Sequence, residues 1–194
     1  MKKYQLILAL ALTVSSASPL VYSADYVIDH KGAHASINFK IKHLGFSWLT
    51  GRFDKFKGTF SYDKDNIENA NIAVTIDTAS INSNHAERDK HLRRDDFLDV
   101  KKYTGASFIS SKITKIDEDT FKVVGMFSFH GVNKEITIDA KRVGEGKDPW
   151  GGYRAGFSGT SRIALKDFGI NKNLGPDSTH VELSFHIEGK RIKS

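Results

Sequence analysis

The strongest constraint in this chain is a hydrophobic period of two. From His180 to Ile192 the residues Val181, Leu183, Phe185 and Ile187 alternate with Glu182, Ser184, His186 and Glu188. From Ala35 to Lys42 the residues Ala35, Ile37, Phe39 and Ile41 alternate with Ser36, Asn38, Lys40 and Lys42. A strand points successive side chains to opposite faces, so each stretch is predicted to have one buried and one wet face. The pattern recurs over residues 53–62, 71–79, 103–116, 120–130, 135–142 and 153–166, separated by short polar turns such as Asp63-Lys64-Asp65-Asn66 and Asp117-Glu118-Asp119. About eight strands with one apolar face each suit a sandwich or a closed antiparallel barrel. The barrel gives all the apolar faces a single interior, which at eight strands is wide enough for one small ligand. Thirteen Phe residues suit such an interior, but periodicity does not separate a lined cavity from a filled core.

One stretch breaks the rule. Residues 84–99 are densely charged, lack Gly and Pro, and read as a helical insert at an edge or end of the sheet. Asn84 is the expected N-cap, with Glu87 closing a capping box, and the helix is predicted to stop near Arg94. Asp89 with Arg93, and Glu87 with Lys90, are spaced as surface pairs. Three readings compete: a solvated capping helix, a basic gate for an anionic group through Arg88, Arg93 and Arg94, and a metal site from His85, Glu87, Asp89 and His91. No HExxH motif supports the last. A second interruption, His43 to Gly51, carries Phe46, Trp48 and Leu49 and is expected as a short turn or helix covering an opening.

The chain opens with Met1-Lys2-Lys3, runs apolar from Leu6 to Val14 and then turns small and polar. This reads as a secretory signal peptide over 1–23, since the apolar run falls far short of the ~20 residues that span a bilayer. The remaining 171 residues, 24–194, fit one domain, with 27 basic and 23 acidic residues interleaved. That mild charge gives no support for nucleic-acid binding. With no cysteine the chain has neither disulfides nor thiol chemistry, and the periplasm is the expected compartment.

No catalytic constellation emerges, and the protein is not read as an enzyme. Gly156-Phe157-Ser158-Gly159-Thr160 lacks the closing Gly of a nucleophile elbow and lies in β-patterned sequence. Asp167-Phe168-Gly169 has no accompanying nucleotide loop. The backbone of the Gly-rich segment from Asp148 to Arg154 is able to cradle an anion, but Pro and Gly are ordinary turn formers and a plain loop is the simpler reading.

Taken together, several segments resemble one family. They are Ala24-Asp25-Tyr26-Val27-Ile28-Asp29, the run Asn38 to Trp48, the run Asn84 to Arg93 continuing into Asp96-Phe97-Leu98, Gly131-Val132-Asn133-Lys134, Asp148-Pro149-Trp150-Gly151-Gly152-Tyr153-Arg154, and Lys166-Asp167-Phe168-Gly169-Ile170. The family is that of the YceI-like, lipocalin-like polyisoprenoid-binding proteins of bacteria. Thr104 and Glu135 stand where the family commonly has Pro, at turns or strand starts. The resemblance implies an all-β, eight-stranded antiparallel barrel with one or two short helices, holding a polyisoprenoid, isoprenoid quinone or similar amphiphile. It implies binding, transport or storage, with the lipid as ligand and no cofactor, and pairing as a homodimer in some relatives. A membrane surface is the expected place of loading. Strand parity then nominates Ile37, Phe39, Ile41, Trp48, Phe60, Ile76, Phe97, Phe127, Phe129, Ile138, Phe157, Leu183 and Phe185 as pore lining. Charge nominates Arg88, Arg93 and Arg154 for a head group. The alternatives are a stress-related interaction protein with a merely packed barrel, and a metal-dependent enzyme built on the charged helix.

Overall fold

The computed structural model describes residues 23–172 and 174–192; the signal-peptide reading of 1–23 falls almost wholly outside them. Among the described residues, eleven strands and one α-helix follow in the order β1 (Ala24–Ile28), β2 (Ser36–His43), β3 (Ser47–Phe53), β4 (Phe56–Tyr62), β5 (Asn71–Asp77), β6 (Ile81–Asn82) and α1 (Ala86–Leu92). The chain continues through β7 (Gly105–Lys115), β8 (Thr120–Phe129), β9 (Val132–Lys147), β10 (Tyr153–Ala164) and β11 (His180–Arg191). Hydrogen bonding runs β1–β4–β5–β7–β8–β9–β10–β11, and β11 pairs back onto β1. Eight strands therefore form a closed antiparallel barrel, which leaves no open edge in the ring.

β11 serves two neighbours. Its first half pairs with β2, from Val181 opposite Ile41 to His186 opposite Ser36, and its last residues pair with β1. β3 lies on β2, and the two-residue β6 lies on β3. The barrel wall is thus carried by β1 towards one end and by β2 and β3 towards the other.

Turn chemistry sets the hairpins. Asp117 Oδ1 accepts hydrogen bonds from the amides of Asp119 and Thr120, at 3.0 and 2.9 Å, fixing the β7–β8 turn. The β8–β9 turn lies at His130 and Gly131, both with left-handed φ (51° and 79°), rather than at Gly131–Lys134. Two such residues match the twist of the flanking strands, so β9 begins early, at Val132. It then runs on to Lys147, into the first part of the stretch between residues 142 and 153 that the alternation left as loop.

Gly125 on β8 has a packing reason. A Cβ there would lie 2.4 Å from the Ile109 carbonyl oxygen and 2.5 Å from Phe108 Cζ. Because the nearer obstacle is backbone, it has little room to give. Gly125→Ala is expected to destabilise the fold by about 2 kcal/mol, read as a lower denaturation midpoint at unchanged m-value. An unshifted midpoint contradicts this.

The helix departs from expectation at its start and in its side-chain pairs. Asn84 has a left-handed φ of 60°, and the cap is His85, whose Nδ1 accepts from the Arg88 amide at 3.2 Å. The helix ends at Leu92, before Arg94. Asp89 does not pair with Arg93. It is buried, and its Oδ1 accepts from the Ser83 amide at 2.8 Å and the Ser83 hydroxyl at 2.5 Å. Arg93 reaches the carbonyls of Ala79 and Ile81, at 2.7 and 2.6 Å. The insert is tied to the barrel by charged side chains on backbone, so it is more than a solvated cap.

Candidate functional site

The barrel interior is filled at one end and open at the other. Where β1 meets β4, Tyr26 stacks on Phe60 with ring centres 4.8 Å apart, and Phe157 sits edge-on to Tyr62 at 5.1 Å and to Phe60 at 5.6 Å. Phe121 closes against Phe157 at 6.3 Å. Burial in this plug pushes the Tyr26 hydroxyl up to about 12. Towards the end bounded by β2, β3 and α1, the interior opens into an apolar cavity of about 590 Å³. That volume falls within the range of small-molecule sites.

Nine of the thirteen parity residues line this cavity: Ile37, Phe39 and Ile41 on β2, Ile76 on β5, Phe127 and Phe129 on β8, Leu183 and Phe185 on β11, and Phe97 after the helix. Four lie elsewhere. Phe60 and Phe157 face inward but belong to the plug. Ile138 faces inward from β9 and packs on the core towards Gly159 without reaching the cavity. Trp48 is on the outer face, about half exposed, with the Lys40 ammonium 4.5 Å from its ring centre. The sequence reading missed Leu49 and Phe53 on β3, because the two glycines of 43–51 hid a strand. It also missed Leu92, Leu98, Leu165 and Leu174, which reach the cavity from non-strand segments that strand parity does not address.

Polar groups gather at the mouth. Lys42, His43, Arg88, His91 and Ser178 are part of the lining, and no carboxylate is. Of the three nominated arginines only Arg88 reaches the cavity; its Nε and Nη2 donate to the Ser83 hydroxyl and carbonyl at 2.7 and 2.6 Å. Arg93 is committed to the carbonyl of Ala79, just before β6, and to that of Ile81 on β6.

Arg154 lies outside the barrel, in a network centred on the buried Asp29. Its Nη1 donates to Asp29 Oδ2 at 2.7 Å and to Glu188, and its Nε donates to Asp148 at 3.0 Å. Lys190 Nζ and His34 Nδ1 also approach Asp29 Oδ2, at 3.0 and 3.2 Å. Burial alone would raise the Asp29 pKa, but hydrogen bonds from Arg154, Lys190, the Gly32 amide and His34 outweigh it and hold the carboxyl far below the usual range. Asp29, His34 and Glu188 offer ligand atoms within 4.8 Å of one another, yet Arg154 and Lys190 already neutralise both carboxylates. This is an ion-pair clamp between the start and the end of the barrel.

The other chemical readings resolve through the same bonds. Asp148 accepts from the Trp150 and Gly152 amides at 3.0 and 2.7 Å, so the Gly-rich turn cradles its own carboxylate. On the helix, His85 is used as a cap and Asp89 is used by Ser83, which parts the four residues considered for metal.

The family model of the YceI-like domain matches residues 26–189. A UPF0312 protein of Azotobacter vinelandii is 50% identical over 191 residues, covering 98% of this chain and 99% of the relative. The YCEI protein of Campylobacter jejuni, a solved structure, is similar at a TM-score of 0.71 and 33% identity, over 79% of this chain and 91% of that one. A polyisoprenoid binding domain from Saccharophagus degradans gives a TM-score of 0.65 over 88% of this chain and all of its own, at 19% identity, a likeness of fold.

Proposed function

The chain belongs to the YceI-like family, and from that premise we propose that it binds a polyisoprenoid, an isoprenoid quinone or a similar amphiphile, as a periplasmic carrier or store. The observation that carries this reading is the shape of the interior: an apolar cavity of about 590 Å³, stopped by an aromatic plug and bordered at its mouth by cationic and imidazole side chains. A long apolar chain gains roughly 0.8 kcal/mol for each methylene taken out of water, so chain length dominates affinity. The plug sets the depth available to that chain. The polar end remains at the mouth, where Arg88, Lys42, His43 and His91 favour an anionic or hydrogen-bond-accepting head group.

The polyisoprenoid binding domain of similar fold supports this choice of cargo. The signal-like first 23 residues support the compartment. The family and the polyisoprenoid-binding neighbour support reading the protein as a binder. Native mass spectrometry of protein purified from its own periplasm, followed by solvent extraction, is the direct test. A stoichiometric long-chain isoprenoid or related amphiphile is the expected result. An empty protein that also refuses added prenols would sink the reading.

A further inference from the structure

The β2–β3 hairpin ends in a turn whose residues make poor sense for a turn in water. Leu44 and Gly45 both have left-handed φ, 51° and 80°, and the Phe46 amide closes the turn onto the His43 carbonyl at 2.9 Å. Asn or Asp ordinarily takes the first of these positions, because a branched apolar residue is strained there and its side chain gains nothing locally. Here Leu44 is 51% exposed and Phe46 is 87% exposed, the latter the most exposed large apolar side chain among the described residues. Trp48 follows on the outer face, also half exposed. Three large apolar groups within five residues therefore project from one tip.

The position of the tip gives it meaning. Lys42, His43 and Leu44 belong to the cavity lining, so the hairpin forms one lip of the mouth, and Arg88 and His91 of α1 also line the cavity. The fixed positive charges here are Lys42 and Arg88. The carboxylates around them are Asp177, against which Gly45 packs, the buried Asp89, which shares the Ser83 hydroxyl with Arg88, and Asp96, 3.5 Å from His91. Trp beside Lys, with Phe and Leu ahead of them, is the arrangement that seats at a lipid–water boundary: the rings enter the interface and the ammonium stays at the phosphates.

We propose that this hairpin tip is a membrane-docking finger, in which Leu44, Phe46 and Trp48 enter the interfacial layer of a phospholipid bilayer carrying anionic head groups and bring the cavity mouth onto it. The inference rests on the reading of the cavity as a lipid site, for which it supplies the route of loading. Leu44 belongs to both the finger and the cavity lining, but Phe46 does not line the cavity and so separates docking from cargo binding.

The experiment uses the full protein and vesicles of equal parts phosphatidylethanolamine and phosphatidylglycerol. In a Trp150→Phe background Trp48 is the single tryptophan and reports on the tip directly. The expected result is flotation with the vesicles and a blue shift of Trp48 emission, with partition at least about tenfold weaker in Phe46→Ser. Uptake of geranylgeraniol from detergent solution should be equal in Phe46→Ser and the parent. Absence of flotation while geranylgeraniol still binds overturns the finger and leaves the carrier reading standing. Flotation without geranylgeraniol binding supports the finger and removes the cargo. Equal flotation of Phe46→Ser overturns the proposal, as does loss in that variant of a concentration-dependent dimer, which would assign the tip to a second copy of the chain.

Discussion

Arg154→Ala is expected to lower the free energy of unfolding by about 3 kcal/mol, a large effect for a residue that touches no cavity. The substitution removes the hydrogen bonds to Asp29, Asp148 and Glu188 together, and with them the cation–π contact 5.5 Å from the Trp150 ring centre. Asp29 stays buried beneath it, with only Lys190, His34 and the Gly32 amide left to hold its charge. Breaking a buried pair from one side costs roughly 3–5 kcal/mol, and the lower end applies because Arg154 keeps some solvent contact. Urea unfolding monitored by far-UV circular dichroism checks the size; a change under about 1 kcal/mol would place the clamp with ordinary surface pairs.

The pH dependence gives the same prediction a second signature. The folded-state pKa of Asp29 is depressed, so its stabilising contribution is complete above its unfolded value near ~4 and is lost as pH falls through the folded value below that. Asp148 is shifted in the same direction, first by the Gly152 amide, with Arg154 adding to it despite the cost of burial. In Arg154→Ala burial pulls the Asp29 pKa upward again, so the variant loses stability at a higher pH than the parent. The gap between the two is therefore widest near neutrality and narrows in acid, where the parent's carboxylates also protonate. Parallel stability curves from neutrality down to acid would show that Arg154 acts through packing instead.

This clamp joins residues 125 positions apart and left little trace in the sequence, where Asp29 is one acid in a polar turn. Alternation, by contrast, made most of the strands and their inward faces legible while leaving sandwich and barrel open, because a half-buried strand writes its inward face into every second residue. It did so best on β2, β8 and β11, whose inward residues supply most of the predicted lining. The method records inside against outside but not height along the axis, so Phe60 and Phe157 share the parity of Phe39 yet fill the far end. Strands β1 and β6 were missed for their brevity, five and two residues. β3 was missed because Gly51 breaks the pattern, and its reason is tertiary: a Cβ there would lie 2.3 Å from Phe39 Cζ. The register of the Leu44–Phe46 turn then decides that Leu49 faces in and Trp48 out. Which backbone carbonyls Arg93 meets is likewise fixed only once the helix lies on β6.

Two cavity substitutions are expected to abolish or reshape cargo binding while moving stability differently. Phe185→Asp places a carboxylate in a wall with no acidic group and removes a ring from the lining. An unpaired charge there repels both an apolar chain and an anionic head, and a loss of about 3 kcal/mol or more corresponds to at least a hundredfold weaker binding. That variant is also expected to lose stability, so its failure to bind is informative only beside a second change. Ala106→Phe supplies it. Ala106 is buried on β7, lines the cavity and stands opposite Ile76, so a larger side chain occupies space that cargo would otherwise fill. Displacing three to four methylenes at roughly 0.8 kcal/mol each weakens a long prenol about a hundredfold but leaves a shorter one nearly unaffected. The fold tolerates the ring because it enters existing space, so the denaturation midpoint should hold or rise. Titration of both variants with geraniol, farnesol and geranylgeraniol reads the outcome directly. If Ala106→Phe weakens all three equally, the cavity does not measure chain length, and the apolar interior would be core that happens to be loosely filled.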